Sequence, residues 1–544
     1  MSYSSSVKIE WTKLIGTNDD EYGNDLTIGT DGFIYVTGYT EGGLDGQANG
    51  LYGDAYISKF DTDGNKSWTI SLDSESDEHA RAITAGIDNH IFVAGTTRGE
   101  YYGNERKGIG QYSSDIFVSK IDFEGNIIWN KLIGSINQDY VSSLTTGKDG
   151  SIFITGTVRG DLSNKTNNGE GDAFITKINS NGIEEWTSLV GSSAFELAHS
   201  ITIGDDGSIF ITGWTNGNLN NQTNKGLYDA FVTKLDGSGI QQWTKLIGSS
   251  KDDYGYGITV DSDNSIYISG GTYGNLESQT NPGNLSAFIT KLNTQGDILW
   301  SDIFSSGSDI DRSNDLVIGN NGSVYIAGYS RGNYDGITNN GFEDIFITKL
   351  DSESNKDYSF LYGSISEDYA ARIISSQDGD FYLTGYTRGN LNSQINNGGK
   401  DSFLMKLVLN AGNSNFAISG NTQVAQSLSI IESTADPDGT GTLSYVWQSS
   451  SDEISWSQIG ADSTYALSSS EEGKKVRAIL SYTDDKGFSE SVTTTPVDIK
   501  TDEGDAVFAI SGTTQVAQSL SITESTADPD GTGTLSYVWQ SSSD

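Results

Sequence analysis

An internal repeat constrains the fold of this chain more than any other feature of its sequence. A phrase of the form Trp-Thr-Lys-Leu-Ile-Gly recurs at spacings of 57, 61, 57, 57, 57 and 58 residues. A period of this length indicates one supersecondary unit per copy, stacked on its neighbours to bury a core that no unit can bury alone. The sequence therefore contains seven units, anchored at Trp11, Trp68, Trp129, Trp186, Trp243, Trp300 and Tyr358.

Each unit is predicted to form four short β-strands. The apolar pieces are five to eight residues long and rich in β-branched and aromatic residues, as in residues 208–213. Asp-Gly pairs such as Asp206-Gly207 separate the second and third pieces and suit a tight hairpin. No stretch has a sustained 3.6-residue apolar period, so we expect an all-β protein with almost no helix.

The phase of the repeat predicts a closed ring. The seventh unit ends at residues 401–407 with no aromatic strand after it, whereas the chain begins with such a strand around Trp11. Radial stacking of four-stranded sheets gives a β-propeller. We therefore expect a seven-bladed β-propeller over residues 1–410, whose last blade is completed by the N-terminal strand.

Two phrases carry a resemblance to a known family. Asp-Gly-Ser-Ile-Phe-Ile-Thr-Gly at 206–213 and Asp-Ala-Phe-Ile-Thr-Lys at 172–177 resemble the SBBP-type bacterial β-propeller repeat, and the likeness extends over roughly residues 1–410. The spacing of Asp122, Gly125 and Trp129 is similar to the tryptophan-docking corner of quinoprotein propellers, which implies that the Trp strand is outermost. Members of the SBBP family are mostly uncharacterised bacterial proteins, often extracellular.

A second repeat follows the first. Residues 416–420 return at 508–512, a period of 92 residues, and residues 436–452 are nearly duplicated at 528–544. The stretch 416–500, with several strands around Trp447, resembles the tandem Ig-like modules of large bacterial surface proteins and predicts an Ig-like β-sandwich. The copy at 508–544 holds only 37 residues. Because half a sandwich leaves a face uncovered, we expect this sequence to be a truncated piece of a longer protein.

Composition excludes several partners and locations. With 32 Lys+Arg against 73 Asp+Glu the net charge is −41, which disfavours nucleic acid and anionic membranes. No apolar run is long enough for membrane insertion, and zero Cys excludes disulfides and thiolate metal sites. The polar start Met1–Ser6 lacks the pattern of an N-terminal signal peptide. We expect a monomeric propeller that is extracellular or on the cell surface by another export route, while a cytoplasmic location stays open.

The sharpest candidate site is a ring of carboxylates, one per unit, ten or eleven residues after each anchor. Near the axis such a ring would attract a cation such as Ca²⁺, which prefers several oxygen ligands, or a basic ligand group. The alternative is that each acid caps backbone amides within its own unit, and recurrence in every unit favours that structural role. The seven residues are Glu21, Glu78, Asp139, Glu196, Asp253, Asp311 and Asp368.

The loops between the third and fourth strands form a second candidate. They are rich in Asn, Gln, Thr and Gly, and seven such loops are expected on one face, where binding commonly resides. Aromatic and amide groups there suit a carbohydrate or another surface protein, although such residues are also good turn formers. The residues singled out for this ligand-binding face are Arg98, Arg159, Trp214, Tyr228, Arg331 and Arg388.

A third candidate lies in the 92-residue module. Asp436 and Asp438 alternate before Gly439, as in Ca²⁺ loops, and Asp484-Asp485 would join them if the fold brought them close. The complete twelve-residue EF-hand pattern is absent. A turn stabilised by these side chains is the alternative, so Ca²⁺ is a possible rather than a required cofactor.

These observations favour a non-enzymatic binding or adhesion protein, with the propeller as ligand platform and the Ig-like modules as a stalk. No nucleophile–base pairing and no phosphate-binding loop appear in the sequence. Two alternatives stay open: a polysaccharide-active enzyme that uses a pair of the ring acids, and a structural component of a surface layer.

Overall fold

The computed structural model describes residues 7–47, 53–74, 76–110, 113–307, 309–410, 412–501, 506–527 and 534–542. The chain forms two compact units, Met1–Leu409 and Asn410–Asp544. Both are built from β-strands, and helix is confined, among the described residues, to a 3-10 turn at Leu44–Gly46. No helix in this part of the chain is long and apolar enough to cross a membrane.

The first unit is built from strands of seven to nine residues. In chain order they are β1 Val7–Ile15, β2 Glu21–Ile28, β3 Ile34–Thr40, β4 Asp54–Phe60, β5 Lys66–Leu72, β6 Glu78–Ala85, β7 His90–Thr97, β8 Asp115–Asp122, β9 Ile127–Ile133, β10 Asp139–Thr146, β11 Ile152–Val158, β12 Asp172–Ile178, β13 Glu184–Val190, β14 Glu196–Ile203, β15 Ile209–Thr215, β16 Asp229–Leu235, β17 Gln241–Ile247, β18 Asp253–Val260, β19 Ile266–Thr272, β20 Ser286–Leu292, β21 Ile298–Phe304, β22 Asp311–Ile318, β23 Val324–Ser330, β24 Asp344–Leu350, β25 Lys356–Tyr362, β26 Asp368–Ser375, β27 Phe381–Thr387 and β28 Asp401–Leu409.

In the described residues these strands form seven four-stranded antiparallel sheets. Six of them are consecutive meanders, from β2-β3-β4-β5 to β22-β23-β24-β25. The seventh has the order β26-β27-β28-β1, because the N-terminal strand pairs with β28, with Trp11 opposite Lys406. The two ends of the repeat region therefore meet within one sheet.

The sheets follow one another in a ring. The first strand of each sheet packs against the first strand of the next, and β26 packs against β2. Each hydrophobic cluster draws its side chains from two neighbouring sheets, and one of them joins the first and last sheets through residues such as Leu26, Tyr56, Tyr382 and Leu404. Burial of these faces is the main force that holds the ring together.

Trp side chains tie neighbouring sheets at the outer edge. Trp68 Nε1 donates a hydrogen bond to the Phe123 carbonyl of the next sheet (3.2 Å), and Trp129 Nε1 does the same to Ser180 (3.1 Å). Trp11, Trp243 and Trp300 repeat the contact. The strand that carries the anchor Trp of a repeat is the last strand in the order of its sheet, at the edge opposite the strands that meet in the ring.

A β-bulge interrupts the first strand of each sheet. The register of β6 and β7 shifts between Ala80 and Ala82, so Arg81 has no partner in β7. The same shift leaves His199 of β14 unpaired. Bulges re-aim a side chain relative to the sheet, and here they occur on the strands that surround the axis of the ring. The bulged residues are Asn24, Arg81, Ser142, His199, Tyr256, Asn314 and Ala371.

The second unit contains two sheets and a separate hairpin. Its strands are β29 Asn415–Gly420, β30 Ser427–Thr434, β31 Ser444–Ser450, β32 Ser457–Gly460, β33 Thr464–Ala466, β34 Lys475–Thr483, β35 Ser489–Thr493, β36 Val497–Asp498, β37 Val507–Gly512 and β38 Leu520–Thr526. The order is β29-β30-β33 in one sheet and β32-β31-β34-β35 in the other, with β36 beside β34. Side chains of both sheets meet around the fully buried Trp447. The duplicated Asp528 and Asp530 lie outside the described residues.

Candidate functional site

The seven ring carboxylates open the first strand of each sheet and are fully buried. Glu21 shows the arrangement. It accepts hydrogen bonds from the backbone N–H of Thr17 (2.6 Å), from Thr17 Oγ1 (2.7 Å) and from Thr40 Oγ1 (2.9 Å). A carboxylate satisfied in this way fixes the turn before its strand.

The same contact recurs in every sheet. The donating backbone N–H groups lie 2.5–3.2 Å from the carboxylates and belong to Thr17, Ser74, Ser135, Ser192, Ser249, Ser306 and Ser364. This local bonding supports the interpretation that each acid caps its own repeat. Cation binding by the ring stays a prediction, and a cation would have to displace these hydrogen bonds.

Six of the ring acids also face a second buried carboxylate from the preceding sheet, whereas Asp311 faces the position of Ser286. Burial, with a contribution from the charge of Glu196 in the next sheet, raises the pKa of Asp172 to about 6. Burial likewise raises the pKa of Asp253 to about 6, with a contribution from Asp229. Asp54, Asp73 and Glu78 bring three carboxylate oxygens within 4.8 Å of one another.

The arginines of the rim loops are engaged within the protein. Arg98 Nη1 donates to Asp77 Oδ2 (2.8 Å), Arg331 pairs with Glu343 (2.6 Å) and Arg388 with Glu367 (2.9 Å). Arg159 lies over the ring of Phe195 at 5.2 Å. These residues lie in different sheets, so each guanidinium organises its own loop.

Loop amides are also used internally. Asn224 Nδ2 donates to the Thr215 carbonyl (3.0 Å), nine residues earlier, and Asn339 and Asn396 make the same bond in other sheets. The recurrent Asn therefore closes the loop. This is the turn-forming role that the sequence left open, and it removes these amides from the set available to a ligand.

Trp214 and Tyr228, by contrast, belong to an extended array of aromatic side chains. Trp214 contacts Tyr228 (5.0 Å between ring centroids), Phe195 (5.2 Å) and Tyr254 (5.9 Å). On the other side of the ring of sheets a second array includes Tyr22–Tyr386 (5.3 Å) and Tyr369–Tyr386 (5.1 Å). We call these residues the aromatic belt: Tyr22, Tyr39, His79, Phe195, Trp214, Tyr228, Tyr254, Tyr256, Tyr329, Tyr369 and Tyr386.

A cavity of about 380 Å³ lies beside the belt. It is lined by Leu227, Ser250, Lys251, Asp252, Tyr254 and Tyr273. Leu227 is 71% exposed, and Asp252 Oδ1 has no hydrogen-bond partner among the described residues. The cavity therefore places an aromatic wall beside the carboxyl group of Asp252.

In the second unit the fold brings Asp484 to Asp436 and Asp438. The three residues place carboxylate oxygens within 4.8 Å of one another. Asp484 and Asp436 are buried, and Asp484 Oδ2 has no partner among the described residues. Lys486 Nζ lies 3.5 Å from Asp438 Oδ1 and supplies part of the balancing charge. Ca²⁺ binding at this cluster stays a prediction.

The axial cavity of the first unit holds the residues that the sequence did not reveal. Its volume is about 410 Å³, and it is enclosed by first strands of six sheets. Its wall includes three arginines, Arg81, Arg312 and Arg372, together with His199 and Tyr369. The cavity that was expected to be lined by acids is thus lined by three arginines among polar and apolar residues, and none of the seven ring acids is in its wall.

Of the three arginines, Arg372 is the one whose charge is balanced by neighbouring carboxylates. Its guanidinium lies 3.4 Å from Asp25 Oδ1 and 3.2 Å from Asp315 Oδ1. Burial raises the pKa of Asp25 to about 6 while Arg372 opposes the shift. Asp25 also accepts the Ile83 N–H (2.9 Å) and Asp315 the Ile373 N–H (3.1 Å), so the two acids link neighbouring sheets.

Arg81 and Arg312 have no such partners: among the described residues no carboxylate forms an ion pair with either. Arg312 lies 3.7 Å from the centroid of the Tyr256 ring, and its buried Nε lacks a hydrogen-bond partner. Burial, with the charges of Arg372 and Arg312, lowers the pKa of His199 to about 3, so the imidazole is neutral. His199 Nδ1 donates to the Tyr256 carbonyl at 2.9 Å.

One sequence signal could have revealed the axial cavity. The bulged residue stands three positions after each ring acid and differs among the repeats, as Asn, Arg, Ser, His, Tyr, Asn and Ala. Variation at one position of an otherwise regular strand indicates a site, because a purely structural position repeats.

Comparisons with known proteins agree with the repeat. The chain matches the SBBP β-propeller repeat at residues 10–45 and 242–277. It is similar to the regulatory protein FlaEY of Caulobacter vibrioides, with 27% identity over 225 residues that cover 38% of this chain and 23% of that protein. It is also similar to the uncharacterized WD repeat-containing protein L264 of Acanthamoeba polyphaga mimivirus, with 22% identity over 262 residues that cover 38% and 19%.

The chain spans less than a quarter of the length of either relative. Among solved structures, a xylan β-1,4-xylosidase from Bacillus halodurans C-125 aligns with 90% of this chain and 92% of its own, at 10% identity and a TM-score of 0.31. The matched repeat and the four-stranded antiparallel sheets together define an all-β protein with a β-propeller repeat fold.

Proposed function

We propose that residues 1–410 form a closed seven-bladed propeller that works as the non-enzymatic binding module of an extracellular or cell-surface protein. The second unit, as an Ig-like sandwich over 416–500, would act as its stalk. The ligand class that we propose is carbohydrate. The observation that carries this proposal is the cavity beside Tyr254 and its continuity with the aromatic belt.

The chemistry of that cavity suits a sugar. Partly exposed aromatic faces pack against the apolar faces of sugar rings, and a Tyr or Trp offers both a large apolar surface and a polar edge. Asp252 and Ser250 supply hydrogen-bonding groups at the same wall. A pocket with an apolar lining and few polar groups is typical of small-ligand sites.

Burial of the ring acids supports a binding role over hydrolysis. A glycosidase needs two carboxyl groups that reach the scissile bond, whereas Glu196 and its six equivalents are fully buried and satisfied by their own turns. A substrate would have to unfold the start of a strand to reach them.

A glycan-binding screen of the complete chain tests the proposal. We expect binding that is lost when Tyr254→Ala and Trp214→Ala are combined and kept in Phe342→Ala, which removes an aromatic ring that is 74% exposed and outside the belt. Absence of glycan binding by the folded protein would overturn the carbohydrate assignment. Release of reducing ends from a bound glycan would instead favour the enzyme.

A further inference from the structure

We infer that the axial cavity is a binding site for a small organic anion, held by the guanidinium groups of Arg81 and Arg312. This inference does not depend on the carbohydrate proposal, because the axial cavity and the Tyr254 cavity share no lining residue.

The charge balance of the cavity carries the inference. Of the three arginines, Arg372 faces both Asp25 and Asp315, whereas Arg81 and Arg312 face no ion-pairing carboxylate among the described residues. Arg81 is an exposed residue of the cavity wall and Arg312 is half-buried beside it, so both guanidinium groups are accessible from the cavity. The charge of Asp77 acts on Arg81, yet among the described residues no carboxylate lies within ion-pair distance of Arg81 or Arg312.

The fold directs these side chains at the cavity. Arg81 is the bulged residue of β6, so its side chain leaves the register of the sheet and projects at the wall of the cavity. Arg312 lies beside Tyr256, and its buried Nε has no hydrogen-bond partner. An N–H group of a guanidinium in this position is a donor without an acceptor, and an anionic oxygen supplies that acceptor.

The remaining wall selects the kind of anion. Tyr140, Val141, Leu197 and Tyr369 supply apolar surface, while the neutral His199 adds no charge. A volume of about 410 Å³ exceeds what a single inorganic ion fills. The site therefore fits a small organic molecule that carries a carboxylate, sulfate or phosphate group.

Titration calorimetry of the full chain tests the inference at constant ionic strength. The probes are glucuronate, glucose 6-phosphate, citrate and inorganic sulfate, with glucose as the uncharged control. We expect at least one organic anion to bind more tightly than sulfate, and glucose to give no heat at this site. The rank order of the anions distinguishes a carboxylate from a phosphate ligand.

Two variants assign the site. Arg81→Gln and Arg312→Gln should each weaken binding of the best anion at least tenfold. Lys148→Gln, which removes an exposed cation already paired with Asp205, should leave it unchanged. Equal affinity in all three proteins would overturn the inference, as would no heat from any anion with folded wild-type protein.

A thermal melt covers the case in which a variant fails to fold. The best anion should raise the Tm of the wild-type chain more than chloride does at equal ionic strength, and an equal effect would count against a specific site. Tyr254→Ala should keep this shift even if it abolishes glycan binding, so failure of the carbohydrate proposal and failure of the anion site are distinguishable.

Discussion

The guanidinium of Arg372 donates from Nη2 to Ser143 Oγ at 3.4 Å, although the two residues are 229 positions apart. Arg372 belongs to the seventh sheet and Ser143 to the third. The same side chain also faces Asp25 of the first sheet and Asp315 of the sixth. One guanidinium thus connects four of the sheets near the axis.

Arg372→Gln should therefore destabilise the first unit strongly. Removing one member of a buried charge set leaves Asp25 and Asp315 without their counter-charge, which costs about 3–5 kcal/mol in comparable cases. Urea denaturation followed by tryptophan fluorescence measures the change. Arg388→Gln removes an ion pair whose arginine is 47% exposed, and should change the free energy of unfolding by less than about 1 kcal/mol. Similar losses in both variants would contradict this account.

Stability of the first unit should fall as the pH rises from about 4 to about 7. Burial raises the pKa values of Asp139, Asp172, Asp253 and Asp344 to about 6. The folded state therefore binds protons more tightly than the unfolded state. Ionisation of each such group lowers the free energy of unfolding by at most about 3 kcal/mol. The urea midpoint, measured between pH 4 and pH 8, tests whether stability falls as the pH rises.

A matched pair of variants distinguishes the effect of the buried acids on the pH dependence of stability from the effect of total charge. Asp253→Asn should flatten the pH profile, while Asp205→Asn, which removes a carboxylate that is 69% exposed, should leave its shape unchanged. A midpoint that rises over the same pH range would show that these carboxylates are not protonated more readily in the folded state.

Millimolar Ca²⁺ should raise the Tm of the second unit if Asp436, Asp438 and Asp484 hold the ion. A ligand that binds only the folded state stabilises it by mass action. Asp484→Asn should abolish the shift, and Asp462→Asn, at an exposed position of the same unit, should preserve it. An unchanged Tm in the wild-type chain would remove the cation interpretation for this cluster.

Deletion of residues 1–16 should prevent the first unit from folding cooperatively. The deletion removes β1, which leaves the edge of β28 unpaired and uncovers apolar side chains that Ile15 and Trp11 cover in the wild type. Circular dichroism and size-exclusion chromatography should show an unfolded or aggregated product. Deletion of residues 1–6 alone should be tolerated, and a stable monomer from the longer deletion would contradict closure through β1.

The repeat made much of the fold predictable. The strands and the β1–β28 pairing follow from spacing and phase, because a fixed period sets which strands are neighbours. The position of the Trp strand at the sheet edge was implied only by the resemblance to the tryptophan-docking corner. Burial of Glu21, which accepts hydrogen bonds from Thr17 and Thr40, was harder to predict. The sequence pattern of a recurring carboxylate is the same whether the side chain faces solvent or its own turn.

Of the axial cations, Arg81 was missed for a geometric reason. An apolar–polar alternation of period two tells which face a strand residue occupies, and a bulge changes that face by one position. Arg81 and His199 occupy such bulges, so the alternation assigns them wrongly. Only the differences among repeats at that position indicate a site.

The bulges also place residues of the cavity wall outside the strand pairing that holds each sheet together. A bulged residue takes no partner across the strand pair, so its side chain can be exchanged while the neighbouring strand pairing stays the same. Six of the seven bulged residues, all but Tyr256, belong to the cavity wall, and of these Asn24 and Asn314 also bond to the neighbouring sheet. A set of proteins with a common frame and different ligands could be made from this chain by substitution at those positions alone.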